Sequence, residues 1–175
     1  MIERLTAGTF AASVPGLAVV LCDAVAGGAS VGFLAGLDRA EAECWWLGRA
    51  SAVEDGTLVV WAAREDGRIQ GTVRLAYAEK ANARHRAEVS KLAVLRAQRG
   101  RGLGRRLLET AEDAAAATGV SLMMLDTETG SAAETLYRTA GWQRYGIVPD
   151  YAADPAGVPR DCSFYVKRVG AAPPR

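Results

Sequence analysis

The sequence predicts one α/β (α+β) domain built around a mixed sheet, on three observations. Two helical stretches open the chain, short apolar runs with a hairpin signal follow, and helix and strand patterns then alternate to the end. With 175 residues, 50% of them hydrophobic, the chain can bury one substantial core, and residues 1–169 are assigned to a single domain. No repeat, low-complexity tract or Pro/Ser-rich linker intervenes before the tail 170–175, whose Ala-Pro-Pro ending reads as disordered.

From Thr9 to Ala26, Phe10, Val14, Leu17, Val20 and Leu21 recur at helical spacing, and Gly27-Gly28 stops the run. A second helix is predicted from Arg39 to Val53, carrying Trp45, Trp46 and Leu47 ahead of Asp55-Gly56. Thr57 to Ala62 is a short apolar strand leading to the hairpin signal Glu65-Asp66-Gly67, and Ile69 to Tyr77 returns beside it. Glu79 to Arg86 is polar and basic and reads as a loop; Ala87 to Leu95 reads as a strand with Val89, Leu92 and Val94 apolar. Leu103 to Thr118 is an amphipathic helix on Leu103, Leu107, Leu108, Ala111, Ala114 and Ala115, ended by Gly119. Val120 to Asp126 is a buried strand, Ala132 to Ala140 a helix closed by Gly141, and Trp142 to Val148 a strand. A loop rich in Pro, Asp and Gly, Pro149 to Asp161, leads to the last strand, Cys162 to Arg168.

Charge and cysteine content narrow the function classes. The 21 basic and 20 acidic residues nearly cancel, so no global field invites nucleic acid or an anionic membrane, and any polyanion site must be local. Cys22, Cys44 and Cys162 are odd in number and far apart, the pattern of reduced thiols in a cytoplasm. With His85 as the one histidine and no close cysteine pair, no metal is expected. The start lacks a signal core, and the apolar run Leu17 to Cys22 is too short to cross a bilayer, so no membrane partner is expected.

The stretch Gln98-Arg99-Gly100-Arg101-Gly102-Leu103-Gly104-Arg105-Arg106, between a strand and a helix, carries the chemistry. Glycines let a backbone approach an anion and aim successive N–H groups at it; the helix start adds unpaired donors and its positive dipole end. The arginines add local charge. A Walker loop would end in Gly-Lys-Ser/Thr, and a Rossmann turn would follow the first strand of a parallel sheet; this loop follows a hairpin.

Val94 to Gly104 resembles the acetyl-CoA binding motif of GNAT acetyltransferases, with the pattern Arg/Gln-x-x-Gly-x-Gly/Ala, and Leu136-Tyr137-Arg138-Thr139-Ala140-Gly141-Trp142 resembles the family's Leu-Tyr-x-x-x-Gly-Phe segment. The resemblance covers about Thr57 to Arg168 and implies a mostly antiparallel mixed sheet of six to seven strands with about four helices. It implies acetyl-CoA as co-substrate, held by the backbone of Leu92, Ala93 and Val94 along its pantetheine arm and by Arg99, Gly100, Arg101, Gly102, Leu103, Gly104 and Arg105 at its pyrophosphate. Where many members carry an asparagine, this chain has Thr129-Gly130-Ser131, so that side-chain contact with the cofactor is not carried over.

Within the family, Leu125-Asp126-Thr127, Gly130, Leu136-Tyr137 and Val148-Pro149-Asp150-Tyr151-Ala152 are most similar to a member that inactivates a small amine-bearing toxin. A small polar amine as acceptor, and a homodimer, are what the resemblance implies; a protein or peptide amine, or acyl-CoA binding without catalysis, are the rivals.

Acetyl transfer to an amine needs a proton acceptor and an acid for the leaving thiolate. The resemblance puts Tyr137 near the sulfur as general acid, against packing on a helix face, and Glu88 as base, against exposure at a strand end. Asp126 closes a buried strand, where burial would raise its pKa; capping the next turn is its other role. Trp45 and Trp46 divide between core and acceptor pocket, while Asp150, Tyr151 and Asp161 suit a cationic amine or are simply solvated. His85 reads as exposed, and the charges from Lys80 to Arg86 either face the cofactor's ribose phosphate or solvate a loop.

Overall fold

The computed structural model describes residues 1–170, so the predicted tail lies outside the described residues apart from Gly170. The architecture is the predicted mixed α/β sheet fold. Its seven strands run in the order β1-β2-β3-β4-β5-β7-β6. They are β1 (Ile2–Arg4), β2 (Leu58–Glu65), β3 (Arg68–Tyr77), β4 (Arg86–Val94), β5 (Leu122–Glu128), β6 (Gln143–Ala153) and β7 (Pro159–Arg168). Every neighbouring pair is antiparallel except β4 with β5. A parallel pair needs a crossover, which helix α4 (Leu103–Ala117) supplies.

Two layers of helix cover the sheet. On one face α1 (Ala7–Ala26) and α2 (Arg39–Leu47) bury Phe10, Leu17 and Trp46 against Val60 and Ile69. On the other, α4 and α5 (Ala132–Thr139) bury Leu107, Leu108 and Tyr137 against Val73, Leu75, Met123 and Tyr165. Both first helices start on capping boxes, Thr6 with Thr9 and Asp38 with Glu41. By length and apolarity α1 meets the bilayer-spanning requirement that the run Leu17 to Cys22 does not; here half of its apolar window is buried inside the fold.

Three expectations are corrected. The helix predicted from Arg39 to Val53 divides after Gly48, where the Arg49 N–H bonds the Trp46 carbonyl three residues back instead of the one four back, so α2 is followed by α3 (Ala50–Glu54) and there are five α-helices among the described residues. The three-residue β1, too short to show a period, adds to the edge of β2. The loop predicted from Pro149 to Asp161 is mostly strand: β6 continues to Ala153 and β7 begins at Pro159. As the outer edge strand, β6 is solvated nearly throughout, so no apolar alternation marks it.

Two irregularities shape the centre of the sheet. Strands β4 and β5 pair only from Arg86–Leu122 to Glu88–Met124, although they run on to Val94 and Glu128, so they part beyond Glu88. In the same stretch Thr72 pairs with Ala93 but Arg74 with Ser90, leaving Val73 opposite both Lys91 and Leu92. This is a β-bulge, and Lys91 takes φ 51° to make it. After it, Leu92 and Val94 take over the α4 face from Ala87 and Val89.

Candidate active site

The loop after β4 is arranged as an anion cradle. Gly100 and Gly102 adopt φ 77° and 75°, and an added Cβ at either would meet open space, so backbone conformation and unobstructed approach are what glycine provides there. Gly102 is the N-cap of α4 with no side chain capping it. Among the described residues the six N–H groups from Gly100 to Arg105 meet no acceptor; the first to do so is that of Arg106, to the Gly102 carbonyl at 3.1 Å. Free donors and the positive end of a 15-residue helix make a site for a phosphate group. Arg99 Nε donates to the Val94 carbonyl at 3.1 Å, Arg101 to Gln98 at 2.9 Å and Arg105 to Thr139 at 2.7 Å, so the guanidinium groups are positioned without carboxylate partners among the described residues.

The parted strands lie beside this cradle. Leu92, Ala93 and Val94 sit on the margin of β4 that has lost β5, with Leu92 and Val94 against the α4 side and Ala93 in the α1 side of the core. On the α5 side stands Tyr137, 6% exposed, its ring 6.1 Å from Trp142 and 6.4 Å from Tyr165. Burial, then the charge of Asp126, push its hydroxyl far above the usual phenol range. Glu88 and Asp126 alternate onto the opposite face and both are exposed. Asp126 thus departs from expectation: it lies inside β5, which runs on to Glu128 and is buried at Met123 and Leu125, but alternation turns the carboxylate to solvent. The thiol of Cys162 lies 3.5 Å from Asp126 Oδ2 and 3.3 Å from the Thr127 carbonyl. Burial and Asp126 push that thiol up to about 12, so it stays a donor that steadies the carboxylate.

On the face of Glu88 and Asp126 the structure assembles a group the sequence does not announce. Trp45 is half-buried between Phe33 and Trp46, while Trp46 is fully buried. Over the Trp45 ring lie the Arg49 guanidinium at 4.7 Å, the Lys91 ammonium at 5.1 Å and the Arg74 guanidinium at 5.5 Å. The signal for Lys91 is in the strand itself, where apolar positions run 87, 89, then 92, 94, and the skipped step is the bulge.

Other candidates fall elsewhere. Tyr151 packs edge-on against Phe164 at 5.0 Å, and Phe164 stands opposite Asp126 in register, so Tyr151 shares that face two strands away. Asp150, at φ 49° in the β6 bulge, donates its N–H to Asp161 at 3.2 Å, and no contact among the described residues joins it to Glu88 or Asp126. His85 is exposed. The Lys80 to Arg86 charges lie before and at the first residue of β4 while the cradle follows its end, roughly 30 Å along nine residues of strand, too far for a ribose phosphate held there. A cleft of about 450 Å³ between the end of α1 and the turn at Asp154 and Pro155 includes none of Tyr137, Glu88 or Asp126.

In place of the family's asparagine, Thr129 pairs with Ser163 at 2.8 Å, Ser131 caps α5, and Gly130 N–H donates to Glu134 at 2.6 Å. Glu134, 7% exposed, also accepts from Tyr165 at 2.9 Å. Burial opposes its charge, but the Gly130 N–H, the Ser163 and Tyr165 hydroxyls and Arg144 hold its carboxyl below the ordinary range. A depressed acid contributes stability above its unfolded pKa of about 4.3 and loses it as pH falls through the folded value. Glu134→Gln is therefore expected to be less stable than wild type in urea at pH 7, with the difference shrinking below about pH 4. A difference constant with pH would mean the charge on Glu134 is not what matters.

The sequence model described as the acetyltransferase (GNAT) family matches residues 20–142. Among solved structures, the ribosomal-protein-alanine N-acetyltransferase of Brucella melitensis is similar at TM-score 0.75 and 25% identity, over 97% of this chain and 99% of that one. A phosphinothricin acetyltransferase of Sinorhizobium meliloti, solved with acetyl-CoA, reaches TM-score 0.81 at 18% identity, over 97% and 88% of the two chains. A putative acetyltransferase of Salmonella typhimurium, solved with its cofactor acetyl-CoA, has TM-score 0.73 at 22% identity, over 99% and 97%.

Proposed function

Because this chain belongs to the acetyltransferase (GNAT) family, we propose that it moves the acetyl group of acetyl-CoA onto a primary amine of a small polar molecule by direct attack, with Tyr137 as general acid. The observation that carries the reading is the gap between β4 and β5, with a cradle of free N–H groups past the end of β4, a buried tyrosine on one face and two carboxylates on the other.

Acetyl-CoA supplies an acyl group already activated on sulfur. The N–H groups from Gly100 to Arg105, with Arg99, Arg101 and Arg105, would hold its pyrophosphate. The unpaired margin of β4 from Leu92 to Val94 offers backbone groups to the pantetheine arm and the thioester carbonyl. Glu88 or Asp126 takes the ammonium proton, directly or through water, so that the amine attacks neutral. Tyr137, held protonated, gives its proton to the departing thiolate across the gap.

The resemblance of Leu125-Asp126-Thr127 and Val148 to Ala152 to the tabtoxin resistance protein, which inactivates a small amine-bearing toxin, favours an antibiotic- or toxin-like acceptor, and the likeness to a phosphinothricin acetyltransferase agrees in kind. A protein amino terminus is the second reading, favoured by the likeness to the Brucella enzyme. A cytoplasmic setting agrees with three free cysteines among the described residues. A homodimer agrees with the exposed side chains of Tyr145, Ile147 and Val148 on the edge strand β6.

Thiol release from acetyl-CoA is expected with small primary amines and not with peptides bearing a free amino terminus. Glu88→Gln or Asp126→Asn, whichever removes the base, should lower kcat/KM by roughly 10²-fold. Acetylation confined to peptides would move the reading to the protein-directed enzymes. Cofactor binding without transfer to either would leave a non-catalytic acyl-CoA binding module.

A further inference from the structure

Three cations meet around Trp45 without an acidic partner in contact among the described residues. Arg74 Nε donates to Ser90 at 2.6 Å and Lys91 Nζ to the Val31 carbonyl at 2.7 Å, both neutral acceptors. Among the described residues neither of them, nor Arg49, has a carboxylate within 4.0 Å. Arg74, Lys91 and Arg49 are each half-buried, so they repel one another where solvent screens poorly. Burial first, then Arg74, pull the Lys91 ammonium down to about 8. The Trp45 ring offsets part of this cost by cation–π contact, and an anion would offset more.

The cofactor's phosphates do not answer the need. Alternation along β3 and β4 turns Val73, Leu75, Ala87 and Val89 toward α4, and Arg74, Glu88 and Ser90 the other way, so the cations face away from the helix whose N-terminus forms the cradle. They share instead the face of Glu88, whose charge bears on both Arg74 and Lys91, and of Asp126, whose charge bears on Lys91. A basic cluster beside two carboxylates is complementary to a molecule that is itself positive at one end and negative at the other.

We propose that the acceptor is an amino-acid-like zwitterion, its amine directed to Glu88 and Asp126 and its carboxylate, or an equivalent anion, received by Arg74, Lys91 and Arg49 over Trp45. This rests on the acetyl-transfer reading and names its substrate class.

The test is acetylation of free α-amino acids against their carboxamides, which keep the amine and lose the negative charge, followed by thiol release from acetyl-CoA. Wild type is expected to prefer the acids by about 10²-fold in kcat/KM, the scale of a charge pair at a binding site. In Arg74→Gln and, independently, Lys91→Met, that ratio should fall toward parity. Thermal unfolding with and without acetyl-CoA accompanies each protein. Equal use of both classes, preference for carboxamides, or a ratio unmoved in both variants would overturn the proposal. So would transfer to neither class by a wild-type protein that acetyl-CoA stabilises. Absence of stabilisation by acetyl-CoA would overturn the acetyl-transfer reading instead.

Discussion

Tyr137→Phe is expected to lower kcat by roughly 10²- to 10³-fold while leaving KM for acetyl-CoA nearly unchanged. The ring is 6% exposed and packs on Trp142 and Tyr165, contacts that phenylalanine keeps. The hydroxyl has no protein partner among the described residues, so its removal leaves no orphaned group in the core. What is lost is the proton. Burial and the nearby Asp126 hold that proton well above the ordinary phenol range, so the acid should stay loaded across the working pH range, without an alkaline limb below about pH 10 from this group. A phenol with a raised folded pKa contributes stability that is complete below about pH 10 and is lost as pH rises further, and the variant should lack that loss. Full activity in Tyr137→Phe would mean that the thiolate leaves unaided and that Tyr137 serves packing alone.

Gly102→Asp is expected to abolish the thermal stabilisation that acetyl-CoA gives the wild type. A ligand that binds only the folded state at about 100 times its Kd contributes about 2.7 kcal/mol, roughly 5–10 °C in a domain of this size. The substitution puts a negative charge among six N–H groups otherwise free to meet a phosphate. It adds no clash, since a Cβ at Gly102 meets open space, and aspartate is among the residues that best tolerate φ near 75°. The variant's own midpoint should therefore fall by only a few degrees. A variant stabilised as much as wild type would show that the cofactor is held somewhere other than this loop.

Legibility along this chain follows the range of the interactions involved. The glycine-arginine loop and α4 were readable because turn, cap and amphipathic face are all set within about twenty consecutive residues. The hairpin of β2 and β3 was readable from Asp66-Gly67 for the same reason. Strand β6 extends past its sequence signal because an edge strand is held by backbone hydrogen bonds to β7, which any side chain permits, and its polar residues imitate a loop. The division of α2 from α3 is a change of backbone conformation at the single residue Arg49, which leaves the helical period on either side intact.

For the candidate site, sequence alone determined the residue types and their order: the cradle, Tyr137 on its helix, and Glu88 and Asp126 on their strands. Tertiary structure decided which of them meet. The parting of β4 from β5 and the bulge at Lys91 are facts of strand pairing between distant segments. The packing of α2 on the sheet brings Trp45, with Arg49, over Arg74 and the bulged Lys91, while strand alternation turns Asp126 to solvent, where a sequence window implies burial. A side chain's direction follows the local period of its element, whereas its neighbours and its electrostatic surroundings depend on register between elements, and register is settled only when the whole sheet packs.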